Sequence, residues 1–216
     1  MAADRKSLVA KAVSQIGYKE KANNDSIFGR WYGMNNQPWC AMFVSWCAAQ
    51  CGISEDIILK FAYVPYGVDF FKKKGRYKPA DGRYKPQPGD IVFFGNSDHV
   101  GIVEKVQGSN IITIEGNTSA GSNGSQTNGE GVYRRTRSLK GGWTMGYGVP
   151  DLEEEEEVNK REIKIKSEDT GVATELSAIL VDGENYIRLR DLEKIFPVKI
   201  GYEESTKTPT FNLVYK

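Results

Sequence analysis

The sequence has little of several things, and each shortage narrows the reading. Only one histidine, His99, stands among 216 residues, so any imidazole chemistry rests on it. The three cysteines are all crowded between Cys40 and Cys51. An odd number in so short a span is a poor disulfide framework. No apolar run approaches the ~20 residues of a spanning helix, so no membrane insertion is expected. The opening stretch, MAADRKSLVAKAVSQIGY, mixes charge into its apolar positions. It lacks the apolar block and small-residue cleavage site of a secretory leader, so synthesis as a cytosolic protein is expected.

Net charge is also nearly lacking, at +1, but this hides a split. Residues 1–150 carry 19 Lys and Arg against 12 Asp and Glu; residues 151–216 carry 10 against 16. Halves of net +7 and −6 suggest two units with different surfaces. A basic front half suits an anionic target. The basic residues form no long stripe and no recognition motif, so nucleic acid is not expected.

PDLEEEEEVNKRE, from Pro150 to Glu162, reads as a boundary, because five adjacent glutamates repel one another and bury nothing. The expected layout is a domain over 1–150, an acidic linker over 151–160 and a small domain over 161–216. In the first domain, Leu8, Ala12, Val13 and Ile16 repeat at helical spacing. Residues 40–51 form a helix that is apolar nearly all round and should be buried. VPYGVDFFKKK is a third, short helix. Then DIVFFG, HVGIVEKV, NIITIEGN, GVYRRTR and TMGYGV follow as short strands. Helices followed by strands give an α+β class, with helices packed on an antiparallel sheet. GRYKP occurs twice, seven residues apart, which is too few copies for a solenoid; it reads as a basic surface loop, with substrate contact as the alternative. The tail reads as a small β-rich α+β domain, with a hairpin turning at Asp182-Gly183 and a short helix in RLRDLEKIF.

The cysteines are separated by position along their helix rather than by direction. Cys40, Cys47 and Cys51 fall within roughly 40° on a helical wheel. Pro38 starts the helix at about Trp39 or Cys40, and the unpaired N–H groups and positive dipole end of that first turn favour a thiolate at Cys40. Cys47 and Cys51 lie deeper, where burial favours the neutral thiol and core packing. A thiolate nucleophile needs a base oriented by a third group. His99 opens one strand and the next ends in ITIEGN, so antiparallel pairing can bring Glu115 or Asn117 to the imidazole, and either can accept its ring N–H. A zinc site on Cys47, Cys51 and His99 would lack a fourth ligand.

QPWCAMFVSWC, KPQPGDIVFFGNSDHVGIVEKV and IITIEGNTS resemble, in order and spacing, the three signature blocks of the CHAP family, cysteine, histidine-dependent amidohydrolases and peptidases of papain-like fold that cut peptidoglycan. The resemblance covers roughly residues 1–150. It implies Cys40 as nucleophile, His99 as base and Glu115 as orienting acid, with Asn117 as the polar residue beside the triad. The acyl-transfer mechanism it implies needs an oxyanion hole. The Cys40 N–H is one natural donor, and Gln37 is a candidate for another. Some members carry a calcium loop of several aspartates ahead of the cysteine. Here Lys21–Pro38 holds only Asp25, whereas a calcium cage needs six to eight oxygens, so neither metal nor cofactor is expected.

ILVDGENYIRLRDLEKIFPVKIGYEESTKTPTFNL resembles the copper amine oxidase N-terminal-like stalk repeat. Despite that name the segment has no copper ligand set. It implies wall attachment, self-association or spacing. Together the resemblances imply a peptidoglycan hydrolase laid out like a phage or prophage endolysin, an N-acetylmuramoyl-L-alanine amidase or an endopeptidase, reaching the wall through a holin or on lysis. The rival is a non-catalytic wall-binding module that kept the fold.

Overall fold

The helical spacing near the start produces α1 (Arg5–Val13). Asp4 caps it, accepting a hydrogen bond from the Ser7 N–H while the Ser7 hydroxyl accepts from the Asp4 N–H. This reciprocal pair satisfies two of the donors that a helix start leaves over. α2 (Ile27–Tyr32) is only six residues long. Ser26 caps its start, and Gly33 ends it in the left-handed region at φ 89°, where a glycine costs least. α3 (Cys40–Gln50) begins two residues after Pro38 and buries Cys40 to Ser45, Cys47 and Ala48. α4 (Val64–Lys73) has Pro65 in its first turn and Lys72 and Lys73 in its last, both favourable placements.

The chain then becomes a six-stranded antiparallel sheet. Its strands are β1 (Tyr77–Pro79), β2 (Ile91–Phe94), β3 (His99–Gln107), β4 (Asn110–Thr118), β5 (Gly131–Ser138) and β6 (Thr144–Gly148). Their order is β1-β6-β2-β3-β4-β5, so the last strand inserts between the first two. Successive side chains of a strand point to opposite faces, and β2 is buried on both. Ile91 and Phe93 join the large core under the helices, while Val92 and Phe94 pack with Val103, Ile111 and Tyr147 on the other face. Arg5 anchors α1 to the start of β2 through Asp90, which also accepts from the Tyr84 hydroxyl and the Gln87 N–H. Helices packed on an antiparallel sheet make the α+β arrangement expected from the sequence.

In this computed structural model the chain forms two units, Met1–Glu155 and Glu156–Lys216. The structure describes residues 3–121 and 124–152, and in the second unit the backbone of five strands. β7 (Asn159–Lys166), β8 (Ala173–Val181) and β9 (Glu184–Ile187) form one antiparallel sheet. β10 (Val198–Glu203) and β11 (Thr208–Leu213) form another. Val181 pairs with Glu184, as a two-residue connection requires. The Asp182-Gly183 turn itself, the helix expected in RLRDLEKIF and most of the acidic linker lie outside the described residues.

Two elements depart from expectation. α2 is too short and glycine-broken to carry a helical period. β1 uses the first copy of GRYKP, while the second copy forms no strand, so the repeat has no structural counterpart. Two glycines then set the approach of helix to sheet. A Cβ on Gly116 would stand 2.7 Å from the Trp39 ring and 2.8 Å from the Phe43 Cβ, so β4 lies directly against the start of α3. A Cβ on Gly101 would stand 2.7 Å from the Glu115 Cγ, so Glu115 crosses β3 where no side chain blocks it.

Candidate active site

Cys40 is the first residue of α3 and is buried. Its N–H makes no hydrogen bond among the described residues, which leaves a free donor at a helix start. A cleft of about 340 Å³ opens on this residue. Gln37 and Pro38 line one side, Tyr63 and Val64 from the start of α4 another, and Ser97 and Asp98 a third. Gln37 is exposed there.

Neither side chain of the remaining pair reaches solvent. His99, the first residue of β3, and Glu115, on β4, are both 0% exposed. The His99 Nε2 and the Glu115 Oε2 lie 3.1 Å apart. The other ring nitrogen, Nδ1, has no hydrogen-bond partner of ordinary geometry among the described residues. Burial pushes the imidazole's pKa down, but the Cys40 thiol and the Glu115 carboxylate outweigh it and raise the value to about 9. Burial likewise opposes ionisation of Glu115, yet hydrogen bonds from Arg137 and His99 lower it to about 2. The arrangement holds a charged imidazole against a charged carboxylate and beside a thiol, which is the ion-pair chemistry of a nucleophilic cysteine.

The choice between Glu115 and Asn117 as the partner of His99 falls on Glu115. In an unbroken ladder the two would share a face, but the β4–β5 register shifts between Glu115 and Thr118, and Asn117 turns to φ 55°. Such a bulge re-aims a side chain. Asn117 accepts from the Trp39 N–H at 3.2 Å and donates to the Asn24 side chain and the Gly129 carbonyl. It therefore fixes the residue before Cys40 and makes no hydrogen bond with His99. Trp39 is held a second time, its indole N–H donating to Glu20.

Cys47 and Cys51 do not join the cluster. Burial pushes both thiols up, Cys47 well above its ordinary value, so they keep their protons as core residues. No group of three or more His, Cys, Asp or Glu able to hold a metal occurs among the described residues. Asp25, the lone carboxylate of the Lys21–Pro38 stretch, accepts from the Arg30 guanidinium and the Asn35 amide.

Sequence reasoning missed Arg137 and Trp143. Arg137, on β5, donates through Nε to the Glu115 Oε1 at 2.8 Å and through Nη2 to Oε2. Trp143 stacks on His99 with ring centroids 5.6 Å apart and planes 14° from parallel. A buried carboxylate needs a cation, but that Glu115 is buried, and that an arginine of β5 reaches it, is visible only in the fold.

Residues 31–117 match the CHAP domain family, a span that includes Gln37, Cys40, His99, Glu115 and Asn117 and ends before Arg137. No curated protein matches the chain. The match supports a hydrolase of the cysteine, histidine-dependent amidohydrolase and peptidase kind, with peptidoglycan as its substrate.

Proposed function

We propose that this protein cleaves an amide bond in the peptide part of bacterial peptidoglycan, with Cys40 as nucleophile, His99 as acid and base, and Glu115 as orienting acid. The observation that carries the reading is the buried His99–Glu115 pair beside a cysteine that starts a helix and opens on a cleft. In the first step the Cys40 thiolate attacks the substrate carbonyl and His99 gives its proton to the leaving amine. The resulting thioester is then opened by water, with His99 taking the proton back. The Cys40 N–H, free at the helix start, is one donor to the oxyanion, and Gln37 on the cleft wall is the second. Gln37→Ala should lower kcat about ten-fold or more while leaving the thermal melt in place. Unchanged turnover would remove Gln37 from the oxyanion hole.

Further parts of the proposal rest on sequence layout. We place the protein as an endolysin that reaches the wall on lysis or through a holin, and assign the second unit to wall binding, self-association or spacing. No described helix is long and apolar enough to cross a membrane.

The test is a digest of purified Gram-positive peptidoglycan by wild type and by Cys40→Ala, read by mass spectrometry and end-group labelling. New ends from wild type alone would support the thiol mechanism. Their identity separates an N-acetylmuramoyl-L-alanine amidase from an endopeptidase. Equal products from both proteins would overturn the Cys40 mechanism, and none from either across several wall types would overturn the reading in favour of a binding module.

A further inference from the structure

Glu115 is completely buried, and burial of a lone carboxylate is costly enough that it would normally take up a proton. A neutral Glu115 could not hold a charged imidazole. What prevents this comes from the neighbouring strand. On β4, Ile111, Thr113 and Glu115 share a face; opposite them on β5 stand Arg137, Arg135 and Tyr133. Arg137 faces Ile111, four residues from Glu115, so its side chain runs along the sheet to reach the carboxylate.

At that end the fit is two-pronged. The guanidinium puts one N–H on each oxygen of Glu115, the fork geometry that an arginine can make and a lysine cannot. Thr113 donates to Oε1 at 2.6 Å. Oε2 is thereby shared between Arg137 and His99, and the carboxylate has no freedom to rotate off the ring. The guanidinium is itself fixed. It lies 4.7 Å from the Trp143 ring centroid and 5.4 Å from that of Phe94, and its Nη2 also donates to Gln126. The Trp143 ring that it covers also stacks on His99, so one indole packs against both ends of the Glu115 bridge.

We propose that Arg137 is a positioning residue for catalysis, which keeps Glu115 ionised and aligned so that His99 stays charged beside Cys40. This deepens the thiol-hydrolase reading above and rests on it. The charged and titratable groups around the carboxylate are His99 on β3, Arg137 and Arg135 on β5, and Cys40 on α3 acting through His99. Arg135 is committed elsewhere, to the Ser119 carbonyl and Gln126, and does not replace Arg137.

The experiment compares wild type, Arg137→Met and Arg137→Lys. It measures kcat and KM on peptidoglycan fragments against pH. It also measures the rate of Cys40 alkylation by iodoacetamide against pH, read on the Cys40 peptide by mass spectrometry. Arg137→Met should lower kcat on the order of 100-fold with KM little changed. With the cation gone, the Glu115 pKa rises, so the acid limb of both profiles should move to higher pH. Arg137→Lys keeps the charge but loses the fork, and should recover part of the rate and part of the shift. Wild-type profiles in Arg137→Met would overturn the proposal. So would Arg137→Lys that melts like wild type yet matches wild type in rate and profile, because the fork would then be idle. Should Arg137→Met fail to fold, the lysine variant alone decides between these outcomes. Alkylation needs no wall substrate, so a shifted alkylation profile in Arg137→Met, where wild type itself turns over no peptidoglycan fragment, would overturn the substrate reading and leave Arg137 in its role.

Discussion

His99→Ala should lower turnover by about four orders of magnitude, the scale on which thiol and serine hydrolases depend on their base. No second histidine exists in the chain to stand in for it. The proposed mechanism gives the imidazole two tasks, one for each nitrogen. Nε2 is spent on Glu115, and Nδ1 is the position left for the thiol and the leaving amine. In wild type the raised pKa, about 9, keeps the ring charged below that pH. In the proposed mechanism the charged ring supplies the proton for the departing amine. The wild-type rate should therefore hold through neutral pH and fall as the pH rises through about 9, where the ring loses its proton. In His99→Ala that basic limb should vanish, and Cys40 should alkylate far more slowly at pH 6. The variant should still fold, because Glu115 keeps Arg137 and Thr113 as partners. Turnover within ten-fold of wild type in a folded His99→Ala protein would sink the acyl-transfer mechanism.

How far the sequence led to this site can be judged residue by residue. The change from helical to strand spacing was plain because Gly and Asn separate β2 to β6 at short intervals. The start of α3 was readable from Pro38, and with it the place of Cys40. The ladder that puts Glu115 near His99 was readable too, but spacing alone left Glu115 and Asn117 open, and only the resemblance implied Glu115. The choice depends on a bulge, and an Asn in the left-handed region looks no different in sequence from one in a strand. Gly101 and Gly116 were also opaque. A glycine in a strand announces a close approach, without saying which side chain comes close. Arg137 was hidden for a different reason. VYRRTRS alternates like a half-exposed strand, and a run of arginines usually reads as a solvated face. Only the fold shows that one of them reaches along the sheet to a fully buried carboxylate. α2 has six residues with Gly29 inside it, too few for a period to declare itself.

Glu115→Gln tests the same site through stability as well as rate. The carboxylate offers two acceptor oxygens, and both are used: Oε1 takes Thr113 and Arg137, and Oε2 takes Arg137 and His99. An amide offers one oxygen and one NH2 group. Whichever way it is turned, the NH2 meets a donor, and the guanidinium is left buried beside a neutral group. Breaking a buried pair by removing one partner costs about 3–5 kcal/mol, so Glu115→Gln should unfold at clearly lower denaturant concentration. The pH dependence gives a second signature. The Glu115 pKa lies at about 2 in the folded protein against an ordinary 4.5. A carboxylate lowered on folding stabilises fully above its unfolded value and loses that contribution as pH falls through the folded one. The wild-type advantage over Glu115→Gln should therefore be complete above about pH 4.5 and shrink towards pH 2. Turnover should fall by about 10²–10⁴, because the ring loses the partner that fixes its tautomer and charge. Urea melts at pH 7 and pH 3, set beside kcat at pH 7, check both parts. Equal stability of the two proteins at pH 7 would mean that the Arg137–Glu115 pair contributes nothing net to the fold. Equal turnover would remove Glu115 from the mechanism, and leave His99 to be oriented by its ring contacts with Phe94 and Trp143 alone.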